Sequence, residues 1–357
     1  MRVVELGGIG PAPFCAMLLA DLGADVVRVQ RSGPPTIPGA PPETGLLNRG
    51  KRSVLVDLKQ PAGVELVLRL AGRADVLIEG YRPGVAERLG VGPDECLARN
   101  PRLVYGRVTG WGQTGPLAQT AGHDLTYLAL TGVLHAIGPA DRPAVPLNLL
   151  GDFAGGSLYL AVGILAALRQ VERTGRGQVV DAAIVDGVAH LATLVYDLLG
   201  AGMWEDRRQA NLLDGGAPFY DVYTTLDGGQ MAVGSLEPPF FVTLLHLLDL
   251  DPGLAEEQYD PRRWPVLRER IAAAFATRTR AEWTEVFAGT DACVAPVLSL
   301  HEAPQHPHLA ARGTYSTVDG VPRPNPAPRF SVTPPGPPGP SAASGQHTAE
   351  VLADWGL

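Results

Sequence analysis

Two residues in the middle of the chain, His123 and Asp152, are of the types that proteins use for acid/base chemistry. His123 ends a glycine-rich run, 110–122, where an apolar helix is predicted to begin. Asp152 lies in the run 148–156 and is predicted to cap the most apolar helix of the chain. A histidine at a helix start is often structural, and aspartate is a preferred N-cap. Each residue is therefore a candidate general acid or base, with a structural role as the alternative.

The predicted helix that begins at Asp152 offers a further possibility. Amide groups at the N-terminus of a buried helix point towards a bound anion and stabilise negative charge. Gly155 and Gly156 leave space for a ligand near this end of the helix. The amides around Asp152 are therefore predicted to stabilise an enolate oxygen.

Cationic residues cluster beside predicted strands, although the protein as a whole carries a net charge of −8. The run 48–52 leads into a strand that ends at Asp57-Leu58-Lys59, Arg82 follows a later strand, and Arg88 lies one turn further on. The carboxyl ends of parallel strands form the ligand crevice of open α/β sheets. Several cations at that edge would suit a polyphosphate ligand, and ordinary solvated charge is the alternative.

A glycine-rich turn, Gly8–Pro13, follows the first predicted strand and resembles a dinucleotide-binding loop. Pro13 replaces the third glycine of that motif, and the second strand ends in Arg28-Val29-Gln30 without an acidic residue for a ribose hydroxyl. A tight turn of an α/β fold is therefore the preferred interpretation.

The elements that must position these residues alternate between strand and helix in the first half of the chain, which predicts a doubly wound parallel sheet. The predicted strands are Arg2–Leu6, Asp25–Val29, Ser53–Leu58, Asp75–Ile78, Leu103–Val108 and Gly177–Val185, and the predicted helices are Phe14–Leu22, Pro61–Ala71, Pro93–Ala98, His123–His135 and Phe153–Arg169. A hairpin around Asp227-Gly228-Gly229 then predicts a second, smaller α+β domain with helices at Pro239–Leu248, Trp264–Phe275 and Arg280–Phe287. A terminal helix, Thr348–Trp355, is predicted with Thr348 as its cap.

Composition narrows the class of protein. The chain has 357 residues, of which 45% are hydrophobic and 18% charged, as expected for a globular protein. Its acidic balance gives no electrostatic footprint for nucleic acid or an anionic membrane. The three cysteines are far apart, which favours free thiols over a zinc site. The longest uncharged run, 153–168, is too short for a membrane span, and no signal peptide is expected, so cytoplasm is the expected compartment.

Several segments carry a resemblance to a known family: RVVELGGIGP, DVLIEGYRPG, RLVYGRVTGWGQTGP, AGHDLTY, NLLGDFAGGS and GRGQVVDAAIVDG. On these residues the chain resembles the α-methylacyl-CoA racemases of the family III CoA-transferase superfamily, and the similarity covers essentially the whole chain. The resemblance implies that His123 and Asp152 are the catalytic pair and that Glu237, in VGSLEPPF, supports the histidine. It also implies an acyl-CoA substrate and no metal or organic cofactor, because coenzyme A is part of the substrate. The expected residues of the CoA-binding site are Arg52, Asp57, Leu58, Lys59, Arg82, Arg88 and Tyr127.

The resemblance further implies a Rossmann-like large domain, residues 1–186, completed by the C-terminal segment 322–357. A linker at 187–218 would lead to the small domain at 219–300, and a return linker would occupy 301–321. Two such chains would interlock as a homodimer.

The implied reaction interconverts (2R)- and (2S)-2-methylacyl-CoA by moving the Cα proton through an enolate, as in branched-chain lipid breakdown. It needs an aspartic acid that holds its proton near neutral pH, and burial of Asp152 against Leu150 and Phe153 is predicted to raise its pKa. The alternative is a CoA-transferase in which Asp152 is the nucleophile. In that class a histidine at the position of His123 is typically absent. A non-catalytic CoA-binding protein would be expected to lack His123 or Asp152.

Overall fold

Short apolar runs in the first half of the chain form a six-stranded sheet. The computed structural model describes residues 1–31 and 45–357. The sheet has the order β3-β2-β1-β4-β5-β6, and its neighbouring strands pair in parallel. Its strands are β1 (Arg2–Leu6), β2 (Asp25–Gln30), β3 (Arg52–Leu55), β4 (Val76–Glu79), β5 (Val104–Thr109) and β6 (Gln178–Ala183). The predicted mixed α/β fold with a parallel sheet is confirmed.

The helices of this sheet unit connect and cover its strands. They are α1 (Pro11–Asp21), α2 (Pro61–Ala71), α3 (Val85–Arg88), α4 (Pro93–Arg99), α5 (Asp124–Leu130), a π-helix (Leu149–Leu158), α6 (Tyr159–Thr174), α7 (Ile184–Leu191) and α13 (Thr348–Trp355). One face of the sheet packs on α2, α4 and α13 around fully buried residues such as Leu70, Leu77 and Tyr105. The C-terminal helix is therefore part of this unit, as Trp355 lies in the same core.

The order of the strands reverses at β1, which lies between β2 and β4. Chain connections leave this point towards opposite edges of the sheet, and ligands of open α/β sheets bind at the carboxyl ends of strands at such a place. The turn from β1 to α1, which contains Gly10, lies at this end of the sheet.

A second unit contains a three-stranded antiparallel sheet of order β7-β8-β9, made of β7 (Tyr220–Thr224), β8 (Gln230–Gly234) and β9 (Val294–Pro296). Its helices are α8 (Thr193–Gly200), α9 (Pro238–Leu247), α10 (Trp264–Phe275), α11 (Arg280–Phe287) and α12 (Pro307–Ala311), and β10 (Tyr315–Val318) pairs with β11 (Val321–Pro324). The aromatic residues Phe219, Phe241, Phe275 and Trp283 are buried in its core. The predicted hairpin at Asp227-Gly228-Gly229 is confirmed.

The chain divides into two compact units, each made of segments that are separate in the sequence. The sheet unit comprises residues 1–133, 146–192 and 324–357, and the second unit comprises 134–145 and 193–323. The middle of the connection between α5 and the π-helix, residues 134–145, thus belongs to the second unit. The domain and linker limits expected from the sequence stay predictions.

Three local predictions were wrong. The helix expected at His123–His135 ends at Leu130, because Gly132 takes a positive φ of 80°. The helix expected to begin at Asp152 begins at Leu149 as a π-helix, so Asp152 lies inside it and Asn148 is the N-cap. His347, not Thr348, is the N-cap of α13.

One helical run of the described residues, Leu149–Thr174, is long and apolar enough to cross a membrane by length and composition. From the sequence, the uncharged run 153–168 was judged too short for a membrane span. The helix that contains it is longer, which corrects that prediction. The inner face of α6 is buried at Leu160, Ile164 and Ala167, against strands β5 and β6. The core helix of an α/β layer passes the same test, so the run is weak grounds for a membrane span.

Candidate active site

Asp152 lies against the turn that joins β1 to α1. Gly10 in this turn has a φ of 69°, and a Cβ built on it would lie 3.2 Å from Asp152 Oδ2. Ser157 is fully buried, and its hydroxyl lies within hydrogen-bond distance of Pro11 O (2.8 Å) and Asp152 O (3.0 Å). The ring of Phe153 stacks on Phe14, with centroids 4.4 Å apart. The start of α1 thus packs closely on the π-helix around Asp152.

The π-helix can lie this deep because it is rich in glycine. A Cβ on Gly155 would lie 2.7 Å from Val188 Cγ2, and a Cβ on Gly187 of α7 would overlap the Gly155 carbonyl oxygen. Both positions therefore exclude a side chain where the π-helix meets α7. Single turns of π-helix are rare and frequently occur at functional sites.

The carboxylate of Asp152 is partly buried and has few polar neighbours. Burial raises its pKa above the usual range, a hydrogen bond from Asn148 lowers it, the charge of Asp124 raises it, and that of His123 lowers it. Asn148 Nδ2 donates to Asp152 Oδ2 at 3.4 Å. The predicted direction of the shift is confirmed, and it favours an aspartic acid that keeps its proton nearer to neutral pH.

The amides at Gly151 and Asp152 are already occupied. Asp124 Oδ1 accepts a hydrogen bond from the Asp152 N–H at 2.6 Å, and the same carboxylate accepts one from the Gly151 N–H. The prediction that amides here stabilise an enolate oxygen is therefore wrong for these two groups.

His123 is the N-cap of α5 and is exposed. Its backbone is extended, with φ −137° and ψ 167°, and its N–H donates to Thr126 Oγ1 at 3.0 Å. The Thr126 hydroxyl in turn donates to His123 O at 2.7 Å. These bonds fix the backbone of His123, and its imidazole acts electrostatically on Asp152. The sheet unit thus brings together both residues of the pair expected from the sequence.

Tyr127, one turn into α5, fills the space above two glycines. A Cβ on Gly110 would overlap its ring, and one on Gly122 would lie 2.6 Å from it. Trp111 packs on Tyr127 edge to face, with centroids 4.7 Å apart. Burial, helped by the charge of Asp152, raises the pKa of Tyr127 to about 12, and the charge of Arg82 acts against this rise. The phenol of Tyr127 therefore interacts electrostatically with both Asp152 and Arg82.

Most of the expected CoA-binding residues follow the carboxyl ends of strands. Asp57 and Lys59 are exposed after β3, and the Lys59 N–H donates to Asp57 Oδ1 at 3.0 Å, with Leu58 half-buried between them. Arg82 is exposed after β4. Arg88, also exposed, ends α3, and its guanidinium lies near Gly84.

Arg52 departs from this group. It is the first residue of β3, at the amino end of the strand, and its guanidinium forms ion pairs with Asp25, Glu350 and Asp354. Its predicted placement on the strand-end loops is wrong. The guanidinium of Arg52 is therefore already paired with three carboxylates. These ion pairs join β3 to the neighbouring strand β2 and to the C-terminal helix α13.

Glu237 belongs to the second unit, where it is the exposed N-cap of α9. After burial, its charge is the largest influence that raises the pKa of the Cys293 thiol. Among residues 1–31 and 45–357, no three His, Cys, Asp or Glu side chains group as metal ligands would.

The model of CoA-transferase family III matches residues 1–348. The chain belongs to this family. An alpha-methylacyl-CoA racemase from Mus musculus is 47% identical over 363 residues, which cover 100% of this chain and 93% of the relative. A succinyl-CoA–D-citramalate CoA-transferase from Chloroflexus aurantiacus is 33% identical, covering 99% of this chain and 92% of the relative. The crystal structure of a CAIB/BAIF family protein from Brucella suis superposes with a TM-score of 0.80 at 26% identity, covering 99% and 98% of the two chains.

The residues that contact Asp152 or bond to its backbone were not predicted from the sequence: Gly10, Asp124, Asn148 and Ser157. Gly10 was assigned to an ordinary turn, and its contact with Asp152 joins residues 142 positions apart. Asp124 had one local signal, since it follows His123 directly and so shares its helix start.

Proposed function

We propose that the protein is an isomerase that interconverts (2R)- and (2S)-2-methylacyl-CoA thioesters by proton transfer at Cα. The observation that carries the proposal is the close placement of exposed His123 and partly buried Asp152, which Asp124 connects. The 47% identity to a racemase over the whole chain supports the same activity. Racemisation needs two groups that can each give or take a proton, and this pair provides them.

In the proposed mechanism, His123 in its neutral form removes the Cα proton of one enantiomer. Asp152 in its protonated form delivers a proton to the opposite face of the enolate. The roles reverse for the other enantiomer, so Asp152 must then begin as a carboxylate. A raised pKa of Asp152 serves both directions, because it brings the two protonation states closer in population near neutral pH.

Coenzyme A is proposed to bind along the exposed cations at the carboxyl ends of β3 and β4. Lys59, Arg82 and Arg88 provide the positive charges there. Asp57 and Leu58 lie in the loop of Lys59, and the charge of Arg82 acts on Tyr127. Arg52 is left out of the phosphate site because its charge is already paired. Glu237 is proposed to support His123 in the complete enzyme.

A homodimer is proposed as the active form. The helical run Leu149–Thr174 buries only 39% of its most apolar window within the chain, and Val162 is 67% exposed. Leu130, Leu149 and Leu165 are exposed apolar residues on neighbouring helices of the same unit. Apolar patches of this kind mark protein interfaces, and we assign this one to a second copy of the chain.

Mixing two inactive variants tests the shared site. Glu237→Ala and His123→Ala chains, unfolded together and refolded, should regain activity through hybrid dimers if Glu237 acts across the interface. Absence of rescue in confirmed hybrids would place Glu237 elsewhere, and a monomer in sedimentation velocity would refute the dimer.

The racemase proposal is tested with one enantiomer of a 2-methylacyl-CoA in deuterated water. We expect incorporation of one deuterium at Cα together with inversion, measured by mass spectrometry and chiral chromatography. A family III CoA-transferase is the second candidate, favoured by the 33% identity to the citramalate enzyme. Transfer of CoA to an added free acid without deuterium incorporation would support that candidate and refute the racemase.

A further inference from the structure

Asp124 connects the two proposed catalytic residues, His123 and Asp152, and is itself neither the acid nor the base of the proposed reaction. It is the first residue of α5, directly after His123, and its side chain reaches the π-helix that carries Asp152. It is only 8% exposed, although it carries no ion pair among the described residues. A buried carboxylate without a cationic partner is costly unless hydrogen bonds satisfy it.

Backbone amides satisfy this carboxylate. The N–H groups of Asp152, at 2.6 Å, and of Gly151 both donate to it. A Cβ on Gly151 would overlap Asp124 Oδ1, so a glycine at that position lets the carboxylate approach. The contact joins the start of one helix to the start of another by charge-assisted hydrogen bonds, which are shorter and stronger than neutral ones.

We propose that Asp124 is a positioning residue that fixes Asp152 relative to His123 and sets the charge that Asp152 experiences. This inference rests on the proposed racemase function and deepens it. Because Asp124 and His123 are consecutive, the hydrogen bond to the Asp152 N–H limits how far the two acid/base groups can move apart. Misplacement by about 1 Å can reduce turnover about 100-fold.

The charge of Asp124 has a direction that can be measured. Asp124 raises the pKa of Asp152, whereas His123 lowers it, and Tyr127 is the other titratable group of α5 that interacts with it. The start of α1 presents uncharged Gly10 and Phe14 to the π-helix. On α7, Gly187 and Val188 make the contacts, and the titratable residues of that helix, Asp186 and His190, are exposed.

Three variants separate position from charge. Asp124→Asn keeps an oxygen that can accept the amide hydrogen bond and removes the charge. Asp124→Ala removes both. Asp94→Asn is the matched control, because it removes the charge of an exposed aspartate in the first turn of α4.

Both directions of the reaction are measured as kcat and KM against pH. Removal of the Asp124 charge lowers the pKa of Asp152. The acid limb, where Asp152 is the base, and the alkaline limb, where it is the acid, should therefore both move to lower pH. We expect a shift of about one pH unit in Asp124→Asn. Asp124→Ala should lose about 100-fold in kcat with a change in KM of less than about threefold.

The outcomes also separate this inference from the proposed function. If the wild type exchanges its α-proton with solvent but both limbs stay in place in Asp124→Asn, the positioning inference is refuted. The same holds if Asp124→Ala, folded as judged by circular dichroism, keeps wild-type kcat. A wild type that never exchanges the α-proton would refute the racemase instead. Asp94→Asn should match the wild type throughout, and an equal shift of both limbs in Asp94→Asn and Asp124→Asn would refute the assignment of the charge effect to Asp124.

Discussion

A buried ion pair between Lys51 and Glu5 offers a quantitative test of how this sheet is held together. Lys51 Nζ lies 2.6 Å from Glu5 Oε2, and the two side chains are 1% and 0% exposed. The same ammonium donates to Pro13 O at 2.9 Å, in the first turn of α1. Burial lowers the pKa of Lys51, and Glu5 acts against that change. The pair therefore connects β1, the approach to β3, and the helix start that carries Gly10.

Replacing only the lysine should strongly lower the free energy of unfolding. In Lys51→Met the carboxylate of Glu5 remains in the core without its hydrogen-bonded ammonium, and its Oε1 atom has no hydrogen-bond partner even in the wild type. Breaking a buried pair in this way costs about 3–5 kcal/mol. Replacing both residues, in Lys51→Met with Glu5→Leu, should restore most of that free energy of unfolding, because an apolar pair of similar volume needs no compensation.

Urea unfolding followed by circular dichroism measures this difference. For an m value of about 2–3 kcal/mol per M, Lys51→Met should lower the midpoint by roughly 1–2 M. The exposed pair Arg99–Glu65 is the matched control, and Arg99→Met should move the midpoint far less. A Lys51→Met midpoint close to that of Arg99→Met would refute the reasoning, as would a double variant less stable than the single one.

Three other predictions follow from the site and the second unit. In steady-state kinetics, Arg88→Ala should raise KM for acyl-CoA more than it lowers kcat, with a smaller effect at high salt. Arg52→Ala should instead leave KM nearly unchanged and lower the melting temperature in thermal melts. His123→Ala and Asp152→Ala should both lose inversion, and each should exchange the α-proton of only one enantiomer, the two variants choosing opposite ones. Identical enantiomer preference in both would contradict the two-base mechanism. In the second unit, hydrogen bonds from Arg280 and Ser299 lower the pKa of Glu302 to about 2. The stability that they provide is present above the ordinary glutamate range and is lost as pH falls through about 2, so Glu302→Gln should flatten the acid side of a plot of melting temperature against pH.

The parallel sheet was predictable because its strands are short, apolar runs separated by glycine, proline and charged residues. Arg2–Leu6 was predicted with its observed bounds, and so were the helices Pro61–Ala71, Trp264–Phe275 and Arg280–Phe287. Burial on both faces gives such strands a local signal. Arg52 had no comparable signal, since its partners Glu350 and Asp354 lie about 300 residues away along the chain.

The surroundings of Asp152 show why the candidate site could be predicted only in part. Residue types and the neighbouring glycines identified His123 and Asp152 as an acid/base pair, but an ordinary helix with Asp152 as N-cap was the natural local interpretation. In the structure the helix begins at Leu149 with π-helical bonding, so the Asp152 N–H is turned towards Asp124 and its carbonyl towards Ser157. The π-helix packs closely against Gly10 and α7, which are distant from it in sequence, so its local sequence alone does not predict these contacts. The chemistry of the pair is therefore local, whereas the geometry that keeps an aspartic acid partly buried beside a histidine is a property of the assembled sheet unit.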